Sequence, residues 1–489
     1  MLDRVVRAAA VRFGERTCLV APGGWSLSYA ELDRISDEVA VGMMERGVTE
    51  GSVVALALPT SPDHVVAFAA AAKIGAITAG INPRLTDTER DAVLASLGPK
   101  HALEHAAAGD GPESILWPFR GGSGGPPPLE PDPDRPIAIV LTSGTTGLPK
   151  GAVFCGRQIE FITQVDTGGA WGEPAAPPLH GIGATSLAHL GPTTKLAGNL
   201  MRGGTTHLLD RWTAAEALRL TEAYAMPTLA GIPTQLALMH RHPNAATTDL
   251  SSVRAVIMGG GPATPELVRS VRSWLGAPVA IRYACTEAGV GLGTTFTDPP
   301  DDAEVSVGRA HDGVEISIRA ADTSSAETGG EVGEVCLRSP AVMSEYWRDP
   351  AATAAAFTPD GFVRTGDLGR LDDQGRLVLV GRLKDMYVRG GYNVYPMEVE
   401  AAVADDPTVA EVAVIAVPDS MMGEIGVAFV VPNDPQFPPT LDEIRAHAGH
   451  RLARYKLPER LIITPALPLT PMHKIDKVAL RARAAGEQG

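Results

Sequence analysis

The strongest constraint on the fold is an alternation near the start of the chain: an apolar run, an Ala-rich helix-like stretch, and a second apolar run. Residues 53–58 are continuously apolar and end at Pro59, the pattern of a buried strand. Ser61 stands where it can cap a helix with Pro62 at its first position, and Gly75 closes that helix. Residues 76–81 then form the next strand. This order is a βαβ unit, which requires a parallel sheet.

The alternation returns downstream. Residues 205–209 read as a strand, and Thr213 with Glu216 forms a capping-box pair opening a helix to about Tyr224. Residues 227–232 are the next strand. Residues 253–258 are another, running into Gly259, Gly260 and Gly261. Stretches 121–136 and 167–183 are rich in Gly and Pro and read as surface loops. From about Val314 the pattern changes to short strands and turns, including a hairpin around Asp373-Gln374-Gly375. After Arg382 the chain restarts as α+β, with Pro396 opening a helix and residues 412–417 forming a strand. The predicted class is α/β: two sheet-bearing subdomains and a β-rich subdomain over residues 1–382, then a small mobile α+β domain over 384–489.

Composition narrows the function classes. The 489 residues carry a net charge of −15, which argues against nucleic-acid or anionic-membrane partners but permits a local basic pocket. Cys18, Cys155, Cys285 and Cys336 have no metal-ligand spacing and suggest no disulfide framework. The opening MLDRVVRAAA lacks the apolar core of a signal peptide. The most apolar window, 65–81, is interrupted by Lys73 and makes a poor membrane span. A cytoplasmic protein is expected.

The chemistry concentrates in one string after the predicted strand 136–141: Thr142-Ser143-Gly144-Thr145-Thr146-Gly147-Leu148-Pro149-Lys150-Gly151. Glycines expose backbone N–H groups, hydroxyls donate, and Lys150 supplies one cation, which together suit a polyphosphate. It is not a Walker A loop, because Pro149 precedes Lys150 and Gly151 follows it. A P-loop kinase or phosphatase is therefore disfavoured.

With this string and the motifs that follow it, the sequence resembles the adenylate-forming superfamily of acyl-coenzyme A synthetases, adenylation domains and luciferases, over essentially the whole chain. Tyr283-Ala284-Cys285-Thr286-Glu287 matches its Y-x-x-T-E motif. The resemblance implies that Glu287, with Thr145, holds Mg²⁺ and that Thr286 bonds the α-phosphate. It also implies that Gly259, Gly260, Gly261 and Pro262 line the adenine and acyl sites. Within the string Gly361-Phe362-Val363-Arg364-Thr365-Gly366-Asp367, Asp367 is the expected acceptor for the ribose hydroxyls. Arg382 is expected beside the ribose and phosphate, and Lys384 at the hinge between two domain orientations. Gly391 matches the glycine beside the pantetheine tunnel. Near the end, Leu467-Pro468-Leu469-Thr470-Pro471-Met472-His473-Lys474 matches the segment whose lysine, here Lys474, reaches the carboxylate and α-phosphate. His473 stands where the family usually has Gly, which restricts that loop. His189 resembles the histidine beside the acyl pocket, and Gly289 is expected in the same pocket. Tyr346-Trp347 is assigned a structural role. The small residues from Ala288 to Gly293 are expected to leave room for a bulky or long acyl group.

The implied activity is ATP- and Mg²⁺-dependent activation of a carboxylic acid as its adenylate, then transfer to coenzyme A with release of AMP. A carrier-protein pantetheine as acceptor and a non-catalytic nucleotide-binding role are the alternatives. The acid and the oligomeric state are left open.

Overall fold

The structure, a computed structural model, describes residues 1–104, 120, 124–142, 149–320, 331–470 and 474–486. Ser143, Gly144, Thr145, Thr146, Gly147 and His473 lie outside the described residues.

The predicted βαβ unit is present: strand Val53–Ala57, helix Pro62–Lys73 and strand Ile77–Gly80, with the two strands parallel. Pro62 occupies the first helical turn, but the Ser61 hydroxyl makes no capping bond. Every residue of this helix except Asp63 is buried, which explains its Ala-rich sequence. The Lys73 ammonium is sealed inside and held by Asp33 at 2.5 Å and Asp37 at 2.8 Å, since a buried cation requires partners. His101–Glu104, Pro136–Leu141 and Gly151–Cys155 complete a five-stranded sheet.

A second five-stranded sheet orders Thr228–Gly231, Ala255–Gly259, Val279–Cys285, Gly289–Gly293 and Arg309–Ala310; its first three strands are parallel. Thr213 caps its helix through the Glu216 N–H at 3.2 Å, but the capping box does not close. The Glu216 carboxylate is taken by Arg219 instead. A further four-stranded sheet joins Ser26–Ser28, Thr17–Val20, Thr205–Leu208 and His180–Gly183. The region before residue 311 thus holds three sheets. Its edge strand His180–Gly183 ends a stretch expected to be loop throughout. Two glycines hid this strand from a reading that treats Gly as a breaker.

Next comes an antiparallel sheet of Glu315–Arg319, Gly333–Arg338, Val363–Leu371 and Leu377–Arg382, turning at Gly375 as predicted. The last sheet joins Tyr392–Val394, Tyr387–Arg389, Gly423–Pro432 and Val409–Asp419, with Arg460–Ile463 pairing the Gly423–Pro432 strand. Among the described residues, no buried apolar cluster mixes side chains from before Gly381 with side chains from after Leu383. Polar contacts cross that division. Arg241 pairs with Glu411, and Arg269 lies 4.0 Å from Asp405. No helix among the described residues is long and apolar enough to cross a membrane.

Candidate active site

Tyr283 and Cys285 end a parallel strand, and Gly259 ends its neighbour, so a crevice opens where the carboxyl ends of these strands meet. The Tyr283 hydroxyl donates to Asp367 Oδ2 at 2.6 Å, and Arg382 Nε donates to Asp367 Oδ1 at 2.7 Å. Asp367 and Arg382 are direct partners across the 363–382 hairpin, so strand register sets this ion pair. Burial, then the nearby Cys285 and Asp367, push the Tyr283 phenol well above its usual range, which keeps it a donor. Asp367 is only 6% exposed, yet each carboxylate oxygen retains a lone pair for a further donor such as a sugar hydroxyl.

Glu287 follows in the turn between Val279–Cys285 and Gly289–Gly293, with Thr286 beside it. The Tyr346 hydroxyl donates to Glu287 Oε1 at 2.7 Å, and the Lys150 ammonium lies 5.1 Å from the Tyr346 ring centroid. Burial and the Glu287 charge hold the Tyr346 phenol protonated far above its ordinary range. Tyr346 therefore links Lys150 to Glu287, a contact the sequence reading missed. A tyrosine separated from its carboxylate by 59 residues carries no local signal of that pairing. Among the described residues Glu287 Oε2 accepts no hydrogen bond, and a carboxylate oxygen fits the oxygen preference of Mg²⁺. The Thr142 N–H donates to the Lys150 carbonyl at 2.8 Å, extending the pairing of Pro136–Leu141 with Gly151–Cys155.

Lys474 approaches from the last sheet's side. Its loop is held by Thr470, whose N–H donates to the Lys474 carbonyl at 2.7 Å. The ammonium keeps solvent access but is crowded by protein. Partial desolvation, then the Arg382 charge, lower its pKa, and Asp367 acts in the opposite direction. His189 stands at the N-cap position of the Leu190–Arg202 helix without a side-chain capping bond, and its buried Nε2 has no partner among the described residues. Burial and the Lys474 charge hold the His189 ring down to about 4, so it is neutral at physiological pH. Lys384 is exposed in the turn after Leu377–Arg382; desolvation and Arg382 lower its pKa. Lys150, Tyr283, Glu287, Asp367, Arg382, Lys384 and Lys474 thus converge, and His189 joins them through Lys474.

The predicted glycines divide. A Cβ on Gly259 would lie 2.9 Å from the Arg282 carbonyl, and Gly260 has φ +78°, so both are required by the backbone. Gly261 and Pro262 continue this turn. Gly391 stands apart, on an exposed turn with φ +85° and nothing within 4 Å of a Cβ. The expectation of open space after Glu287 is not met. A Cβ on Gly289 would lie 2.4 Å from the Ala341 carbonyl, and one on Gly291 2.7 Å from Val314. These glycines admit close packing of the protein itself, so they do not enlarge an acyl pocket.

The profile of the family described as "AMP-binding enzyme" matches residues 6–347, and that of the "AMP-binding enzyme C-terminal domain" matches residues 398–474. The chain belongs to the adenylate-forming family of AMP-binding enzymes. This AMP-binding enzyme is 31% identical over 479 residues to a long-chain-fatty-acid–CoA ligase of Mycobacterium tuberculosis, covering 93% of this chain and 92% of the relative. It is 33% identical over 487 residues to a feruloyl-CoA synthase of an Amycolatopsis species, covering 96% and 97%. Its fold matches ATP-bound MatB from Rhodopseudomonas palustris with a TM-score of 0.85 at 26% identity, over 99% of both chains. The first two of these relatives are named as a CoA ligase and a CoA synthase, and the third is an ATP-bound structure.

Proposed function

We propose that this AMP-binding enzyme activates a carboxylic acid as its acyl adenylate, releasing pyrophosphate, and then transfers the acyl group to coenzyme A, releasing AMP. The approach of Lys474 to Arg382, Asp367 and His189 carries this reading. It brings a cation from the C-terminal part of the chain to the place where ribose and α-phosphate are expected.

In the first half-reaction the acid carboxylate attacks the α-phosphorus of ATP, the bond from the α-phosphorus to the bridging oxygen breaks, and pyrophosphate leaves. Asp367 orients the ribose and is itself fixed by Tyr283 and Arg382. Lys474 offsets charge as two anions meet, and Thr286 donates to the α-phosphate. Glu287 and Thr145 would hold Mg²⁺, which would supply charge neutralisation for the phosphates. Held reactants supply much of the rate through orientation. No protein nucleophile is needed, and burial pushes the Cys285 thiol far up, which keeps it inert.

The division into residues 1–382 and 384–489, with Lys384 as hinge, is supported by buried clusters that stay on either side of it. A turn about Lys384 would withdraw Lys474 and bring exposed Gly391 toward the acyl adenylate for attack by the thiol. ATP–pyrophosphate exchange and thioester formation, each followed with a panel of acids, test the reading. Acid-dependent exchange followed by acyl-CoA and AMP is expected. Exchange without acyl-CoA from any acid would reject coenzyme A as acceptor, and a Gly391→Trp variant that lost both half-reactions equally would reject the tunnel assignment.

A further inference from the structure

We infer that Arg282 is the distal anchor of the acid-binding site and selects acids that carry a second carboxylate. This rests on the ligase reading above.

Arg282 precedes Tyr283 on the Val279–Cys285 strand, so the two side chains leave opposite faces of the sheet. Tyr283 reaches Asp367, whereas Arg282 folds back along its strand. Its Nη1 donates to the Ile281 carbonyl at 3.2 Å and also to the Thr294 carbonyl. The flanking strands make room for it. A Cβ on Gly293, its cross-strand partner, would lie 2.7 Å from Nη1, and one on Gly259 would lie 3.2 Å from the Arg282 Cβ. Gly259 belongs to the segment expected to line the acyl site, so Arg282 stands beside that site.

Both of these bonds go through Nη1. Nε and Nη2 form the edge that grips a carboxylate with two parallel bonds, and they donate to no described residue. Nor does Arg282 form an ion pair among the described residues; Asp166 and Asp298 act on it only at longer range. Asp166 is already engaged by Lys195 at 3.2 Å. Burial disfavours the guanidinium charge, but a guanidinium does not give up its proton, so a partly buried cation is left with its chelating edge unpaired. A carboxylate at the far end of the substrate satisfies that edge. The filling of the space at Gly289 and Gly291 by Ala341 and Val314 points the same way, toward a compact acid and away from a long apolar chain.

The test compares matched acids, glutarate with pentanoate and phthalate with benzoate, in ATP–pyrophosphate exchange with wild type, Arg282→Lys and Arg282→Gln. Wild type should prefer the diacid in kcat/KM, and the diacid-to-monoacid ratio should fall about tenfold or more in Arg282→Gln and less in Arg282→Lys. A wild type that prefers the monoacid, or a ratio unchanged in Arg282→Gln, overturns the proposal. Melting-temperature shifts of wild type with each acid plus a non-hydrolysable ATP analogue need neither turnover nor a variant. A larger shift with the diacid supports the anchor, and equal or absent shifts reject it. A diacid-specific shift with no exchange from any acid would reject the ligase reading while leaving the anchor in place.

Discussion

The Tyr283 hydroxyl and the Asp367 carboxylate meet at 2.6 Å although 84 residues separate them in the chain. One ends a parallel strand of the second sheet; the other lies in an antiparallel hairpin. Their bond ties two sheets together beside the crevice. Removing the hydroxyl with Tyr283→Phe should cost about 1.5–3 kcal/mol of stability, the usual worth of a hydrogen bond to a charged group. It should also raise the KM for ATP, because Asp367 loses an orienting donor. Asp367→Ala should raise that KM further. Denaturant melts and exchange kinetics check both, and an unchanged ATP KM in Asp367→Ala would remove the ribose assignment.

Lys474→Ala should depress adenylation by about 10²–10³-fold, the range for one preorganised donor at a charged transition state. Thioester formation from a supplied acyl adenylate should suffer far less. Because desolvation and Arg382 lower the Lys474 pKa, its charge is lost at a lower pH than a free lysine's. Adenylation should therefore decline early on the alkaline side, and Lys474→Arg should extend activity to higher pH if it reaches the same position. Equal loss in both half-reactions would argue against a role confined to adenylation.

Arg241 and Glu411 pair across the division near residue 383, between partly exposed side chains. An exposed pair of this kind is worth about 0.2–1 kcal/mol. Arg241→Glu should therefore reduce adenylation only a few-fold, by loosening the orientation that presents Lys474. Adding Glu411→Arg should restore it. Rates for the two single variants and the double variant, measured at low and high salt, decide this; a double variant no better than the singles would exclude the pairing as the cause.

His64, His189 and His207 are each held down to about 4 by burial, against an ordinary value of 6.5. The unfolded chain therefore binds these protons at a higher pH than the folded chain does. The stability they preserve is complete above about pH 6.5 and is lost as pH falls toward 4. Thermal melts between pH 7 and 4 should show a falling midpoint, with a shallower fall in His64→Asn. A midpoint independent of pH over this window would contradict neutral burial.

What the sequence by itself determined is what local spacing and short motifs can encode. Pro62 after Ser61 and the apolar runs on either side define a βαβ unit, and the Asp373-Gln374-Gly375 turn defines a hairpin. The ordered motifs around Lys150, Glu287, Asp367 and Lys474 identify the family. The tertiary structure decided which side chains meet. Tyr346 reaches Glu287, His189 lies within electrostatic range of Lys474, and the Nε–Nη2 edge of Arg282 donates to no described residue. It also decided that the glycines after Glu287 are filled by Ala341 and Val314. A glycine in sequence signals only missing volume. Whether substrate, solvent or another strand occupies that volume depends on elements tens of residues away, whose register no local pattern specifies.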